Sequence, residues 1–91
     1  TKDKEGIAYI HYQVGAAFHK YGESRKALNF YLQALPIAQE AGDKNLQSLI
    51  ISALAGTYDR LGEYEKALEF YQKAIDLNRQ IGTRNEVVPL N

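Results

Sequence analysis

The sequence predicts an all-α protein built from antiparallel helix-turn-helix repeats, and three observations carry that prediction. The phrase GESRKALNFYLQAL at residues 22–35 returns forty positions later as GEYEKALEFYQKAI at residues 62–75. Shifting the chain by forty aligns 13 identities in 51 compared positions, ten of them between residues 22 and 45. Chance at about one in twenty would give two or three, so the repetition is real. Within each copy apolar residues recur at three- and four-residue steps, the period of one helix face. Glycine then closes the periodic stretches, as expected where a chain must turn left-handed to leave a helix.

Taken in order, the first helix is expected over about 4–20, where Val14, Ala17, Phe18 and Tyr21 keep the helical step. Tyr21-Gly22-Glu23 interrupts it. The second, about 24–41, carries Ala27, Leu28, Tyr31, Ala34, Leu35 and Ala38 on one face. Pro36 sits inside it, removing a backbone hydrogen bond and crowding the preceding turn. A continuous helix kinked near Leu32 is the expectation. Ala41-Gly42-Asp43 ends this unit, with Asp43 suited to capping the next helix.

The third helix, about 44–60, holds Ile50, Leu54, Tyr58 and Leu61 in phase, and Leu61-Gly62-Glu63 interrupts again. A fourth, about 64–81, copies the second through Ala67, Leu68, Tyr71, Ala74, Ile75 and Asn78. Ile81-Gly82-Thr83 matches the earlier separator, with Thr83 as a cap, so residues 83–91 are expected to begin a fifth helix. One domain over 1–91 follows: unit one at 3–42, unit two at 43–82, and a stub of a third at 83–91.

Composition narrows the function classes. Eleven basic and eleven acidic side chains cancel, so no net field draws the protein to nucleic acid or to an anionic membrane. Cysteine is absent, which removes disulfides, thiolate metal sites and cysteine nucleophiles. No apolar run approaches the ~20 residues that span a bilayer. A cytoplasmic location is the expectation. The chain opens at Thr1 and holds no Met, which reads as a piece of a larger multi-repeat protein.

A helix-turn-helix unit repeated at fixed period, with small residues where helices cross, resembles the tetratricopeptide repeat. That family shows W-x2-L-G-x2-Y, then A-x3-F, then a late Pro. His11, Val14, Gly15 and Phe18, followed by Ala27 and Tyr31, match it in unit one. Ile51, Leu54, Ala55 and Tyr58, followed by Ala67 and Tyr71, match it in unit two, with Ala34 and Ala74 as the next small positions. Gly15 facing Ala27, and Ala55 facing Ala67, would let the helices approach closely while aromatics fill the gaps. The tryptophan is replaced by His11 and Ile51, the closing proline by Gln39 and Arg79, and the period is forty. This resembles the long variant found in scaffold and multi-repeat signalling proteins. A right-handed solenoid fragment is what the resemblance implies.

The resemblance also implies that the first helix of each unit lines a concave groove. Unit one would then supply Tyr9, Tyr12, Gln13, Ala16, His19 and Lys20. Unit two would supply Leu49, Ser52, Ala53, Gly56, Asp59 and Arg60. An apolar guest side chain would meet Tyr9 and Tyr12, an acidic one Lys20 and Arg60, with room for backbone over Ala16 and Gly56. The Lys and Asn clamp that one subset of the family uses for chaperone tails is missing, because Tyr12, Ala16 and Ala53 hold those places.

Catalytic and metal chemistry find little purchase. His11 and His19 are the only histidines; eight residues apart on a helix, they lie roughly 12 Å apart along the axis. One metal with bonds of about 2 Å cannot bridge them. His19 is expected to meet Asp59 in a structural polar contact. No phosphate loop or nucleophile elbow occurs, and Glu69 with Lys73 reads as a solvated i,i+4 pair. Most of the seven tyrosines fall at core spacing and lack interleaved basic residues, unlike a base-stacking surface.

The function this supports is non-enzymatic binding of a protein or peptide, with no cofactor and no metal. Two other classes compete: a small-ligand sensor or enzyme with a site around His19, Asp59 and Arg60, and a structural spacer. Uncapped ends, including Val87, Val88 and Leu90 in the stub, suggest homo-oligomers formed by end-to-end stacking or helix exchange.

Overall fold

A computed structural model describes residues 2–85, all but the turns being helical: α1 Lys2–Lys20, α2 Ser24–Ala41, α3 Lys44–Arg60 and α4 Tyr64–Asn85. α1 packs on α2, α2 on α3 and α3 on α4, while α1 also touches α3. The α2 and α4 backbones do not approach each other closely. The two hairpins therefore stack with their first helices side by side, the second helices forming the other layer.

The repeated phrase has a physical reading. Ala27 and Ala67 are buried where the helices of each hairpin cross. Phe30 stacks on Phe18 with ring centroids 5.6 Å apart, and Phe70 stacks on Tyr58 at 5.5 Å. Lys26 lies 5.6 Å over the Phe18 ring and Lys66 5.7 Å over the Tyr58 ring, the same cation–π contact written twice. Ala34 and Ala74 are buried two turns beyond Ala27 and Ala67. A polar tie also repeats between the start and end of each unit: Lys4 Nζ donates to Glu40 at 2.8 Å and Lys44 Nζ to Gln80 at 3.1 Å. The hydrogen bond from Lys4, and then its charge, hold the Glu40 carboxyl below its usual value. That contribution is present above the ordinary carboxylate range and fades as pH falls.

The core runs through both units. Ala8, Ala27, Tyr31, Ala34 and Ala38 of the first hairpin join Leu46, Ile50, Leu54, Tyr58 and Ala67 of the second. A smaller cluster of Ile51, Ala74 and Leu77 draws in Leu35. α2 is thus covered on both sides, by α1 and by α3. Tyr31 lies at the centre, its ring 5.8 Å from that of Tyr12. Burial, and then the neighbouring Tyr12, push the Tyr31 phenol above its ordinary 10. The neutral form is the one the fold tolerates, so above pH 10 the unfolded chain releases this proton first and stability falls with rising pH. Tyr31→Phe should flatten that alkaline decline. Urea midpoints measured at increasing pH would show it, and parallel curves for the two proteins would refute the assignment.

The turns are built as the glycines predict. Gly42 takes φ 73°, and its N–H reaches the carbonyls of Ala38 and Gln39; Gly22 and Gly62 are likewise left-handed. Asp43 caps α3, its carboxylate accepting from the Leu46 N–H at 3.0 Å. Asp43→Ala should cost about 1 kcal/mol, lowering the thermal midpoint by roughly 4–8 °C. Asp43→Asn, which preserves an acceptor, should retain most of the stability in the same melting experiment.

Three expectations need correction. α4 does not stop at Gly82 but continues to Asn85, placing Thr83 inside a helix rather than at a cap. Glycine within a helix costs only about 1 kcal/mol, so it does not compel a break unaided. At Gly42 the break is enforced by the Asp43 cap and by α3 folding back onto α2; threonine is the weaker cap. The rest of the expected fifth helix lies outside the described residues. Secondly, four of the seven tyrosines, Tyr9, Tyr21, Tyr64 and Tyr71, are exposed. Helical spacing puts a residue on a face without saying whether anything covers that face. The third correction concerns His19 and is described with the site. α2, for its part, runs unbroken through Pro36. Leu32 and Pro36 both face solvent, where water can satisfy the carbonyl that proline leaves unpaired.

Candidate functional site

The contact of α1 with α3 leaves a groove at the start of both helices, a cavity of about 560 Å³ open to solvent. Glu5, Gly6 and Tyr9 line it from α1, Asn45, Leu46 and Leu49 from α3, with Asp43 at the rim. The two walls are related by the forty-residue repeat, Glu5 to Asn45, Gly6 to Leu46 and Tyr9 to Leu49. Tyr9 and Leu49 are both half-exposed, so the groove holds two large apolar side chains that nothing in the hairpins covers.

Tyr9 is held in place. Gln13 Nε2 donates to its hydroxyl at 3.1 Å, and its ring sits 6.2 Å from that of Tyr12. Tyr12 in turn packs on buried Tyr31, so an aromatic series leads from the groove into the core. Tyr12 is a half-buried support behind Tyr9 and does not itself line the cavity. Ser52 occupies the equivalent place in unit two and is exposed.

Further along, Ala16 and Gly56 are half-buried small residues, and a side chain added at Gly56 would meet nothing within 4 Å. Lys20, Asp59 and Arg60 are exposed at the helix ends. Among the described residues no ion pair engages any of the three. His19 Nδ1 is buried without a hydrogen-bond partner. The expected contact between His19 and Asp59 is not made: among the described residues no hydrogen bond joins them. His19 is fixed in the hairpin beside the turn, whereas Asp59 points to water. His11 Nδ1 donates instead to the Ile7 carbonyl of its own helix, at 2.9 Å. Among the described residues no group of three His, Cys, Asp or Glu side chains could hold a metal ion.

Stacked hairpins with a glycine or alanine at each helix crossing, and a groove between their first helices, meet a sequence pattern that matches residues 6–80, that of the tetratricopeptide repeat. The chain belongs to the tetratricopeptide repeat family. No curated protein and no solved structure matches it. Tetratricopeptide repeats generally mediate protein–protein interaction, and no helix described here is long and apolar enough to cross a membrane.

Among the residues expected in the groove of this repeat protein, Tyr9 and Leu49 line the cavity. Ala53 packs against the core cluster. The sequence reading passed over Glu5, Gly6, Asp43, Asn45 and Leu46. Their signal was available, because each first-helix start pairs with its copy forty residues on. Asp43 was read only as the α3 cap, which it also is, and Leu46 is at once a groove wall and part of the core.

Proposed function

We propose that this chain is a non-enzymatic scaffold module, part of a larger multi-repeat protein, that binds an extended peptide along the α1/α3 groove. The supporting observation is the pair Tyr9 and Leu49: uncovered, apolar and, for Tyr9, already oriented by Gln13 and Tyr12. A preformed anchor site loses little side-chain freedom on binding, which favours affinity at small contact area. From Tyr9 to Lys20 is eleven residues, about 16 Å along the helix. An extended peptide covers that in about five residues. The ligand thus carries an apolar side chain for Tyr9 and Leu49, and an acidic one some five positions away for Lys20 and Arg60. Gln13, Ala16, Ser52 and Gly56 form the floor between, with His19 and Asp59 at the charged end.

Random-peptide panning tests this directly. Hits should share that spacing, bind at least tenfold more weakly to Tyr9→Ala, and lose their salt dependence with Lys20→Ala/Arg60→Ala. An absence of hits, or hits indifferent to both variants, would move the reading to a structural spacer. One observation favours a second reading, a small-ligand sensor at the other end: His19 Nδ1 is buried and unsatisfied, a costly arrangement that a ligand group would relieve.

A further inference from the structure

The α1/α3 groove carries charge of one sign where it opens. Glu5 on α1 and Asp43 at the α3 cap line the cavity together with Tyr9 and Leu49, and both acidic side chains are half-buried. Asp43 gives one oxygen, Oδ1, to the Leu46 N–H. Among the described residues no other hydrogen bond and no ion pair engages either carboxylate. The lysines beside them in sequence reach the other layer of helices: Lys4 Nζ meets Glu40 on α2, and Lys44 Nζ meets Gln80 on α4. Neither lysine lines the cavity. The polar tie that repeats with each unit thus draws the nearest cations away from the groove mouth.

The aromatic wall lacks a cation too. Lys26, Lys66 and Lys73 lie over the rings of Phe18, Tyr58 and Phe70, whereas among the described residues no cation lies over Tyr9. The cavity of about 560 Å³ is also roomier than one apolar side chain requires, since pockets of about 300–1,000 Å³ take whole drug-sized ligands. Half-buried carboxylates without a cation gain most from a charge-assisted partner. A guanidinium suits this place better than an ammonium. It meets carboxylates through a planar fork, stacks on an aromatic face and is the more weakly hydrated of the two, while its aliphatic stem covers apolar surface such as Leu49.

Given that the α1/α3 groove takes a peptide, we propose that the peptide carries an arginine beside its apolar anchor, held by Glu5 and Asp43 against the Tyr9 ring. In an extended chain the side chains of one face recur every second residue. The arginine therefore stands two positions from the anchor, on the side away from the acidic residue that meets Lys20 and Arg60. The ligand is a bipolar segment, basic at one end and acidic at the other. Its charge order decides which end lies at the helix starts. A segment with an acidic residue beside the anchor is rejected by like charge, which supplies specificity that the apolar walls alone do not.

Panning one random-peptide library in parallel on the wild-type chain and on Glu5→Gln/Asp43→Asn tests this. The Asp43→Asn change keeps an acceptor for the α3 cap, and circular dichroism should show the double variant folded. Wild-type hits should carry arginine, less often lysine, two positions from the apolar anchor; hits on the variant should not. In a resynthesised wild-type hit, replacing that arginine by serine should weaken binding at least about tenfold on the wild type and less than about twofold on the variant. Glu5→Arg, which leaves the cap untouched, should abolish the preference for arginine and admit an acidic residue in its place. Hits that are lost with Tyr9→Ala yet show no basic preference, or keep that preference on the variants, overturn the arginine assignment and leave the peptide groove standing. An absence of wild-type hits, or hits indifferent to Tyr9→Ala, overturns both.

Discussion

Gly15→Ala is expected to destabilise the protein, whereas Gly56→Ala, the same change at the next position of unit two, is expected to stabilise it. Both glycines lie inside helices, where alanine is favoured by about 1 kcal/mol because glycine gives up more chain entropy on folding. The surroundings decide the sign. A Cβ at Gly15 would stand 2.8 and 2.9 Å from two Tyr31 ring carbons and 3.3 Å from the Ala27 carbonyl oxygen. That ring has nowhere to go, being buried and packed on Tyr12, and the carbonyl belongs to the helix backbone. Overpacking of this kind costs about 1–3 kcal/mol, enough to outweigh the propensity gain. A Cβ at Gly56 meets nothing within 4 Å, so only the gain remains. Urea denaturation of the two variants should move their midpoints in opposite directions. In a Tyr31→Leu background the cost at Gly15 should shrink, because the clashing ring is gone. A stabilised Gly15→Ala would show that the crossing is looser than its geometry implies. Should a peptide run over Gly56 as proposed, the added methyl would also weaken binding while it strengthens the fold.

Ile50→Ala should be among the most damaging truncations, and Ile10→Ala, its copy forty residues earlier, among the mildest. Ile50 is fully buried at the junction where α3 meets α2. Removing its outer carbons costs the transfer free energy and leaves a cavity, about 2–5 kcal/mol for a change of this type. Domains have only about 5–15 kcal/mol in total, so much of the margin goes. The site also couples the hairpins. In a repeat array stability is nearly a sum of unit and interface contributions, and weakening the one interface should broaden the denaturation transition and lower its slope. Ile10 faces solvent, and its truncation should stay within about 0.5 kcal/mol. Equal costs for the two changes would mean that the α1 face is already covered in solution.

How much of this was legible beforehand differs between fold and site. The hairpins, their boundaries near Gly22, Gly42 and Gly62, and the crossing of Gly15 with Ala27 follow from local rules: helical period, left-handed glycine and the need for a small residue at close approach. The Asp43 cap belongs with them. The end of α4 does not, since Ile81-Gly82-Thr83 resembles its earlier copy while the helix runs on. A turn is made as much by the helix that folds back as by the residues in it. At the site, Tyr9 and Leu49 were within reach of sequence reasoning, yet the groove they share opens at the helix starts, where Glu5 and Asn45 carry no motif and Asp43 read only as a cap.

The repeat itself, its helical period and its family were written in the order of residues, because those features depend on neighbours three, four and forty positions away. Burial was not. Leu28 and Leu68, or Ile50 and Ile10, occupy the same place in the repeat and have different surroundings. No local pattern separates them, since the difference is whether another helix lies across that face. Among the described residues only the tertiary arrangement supplies that helix, α3, for α2.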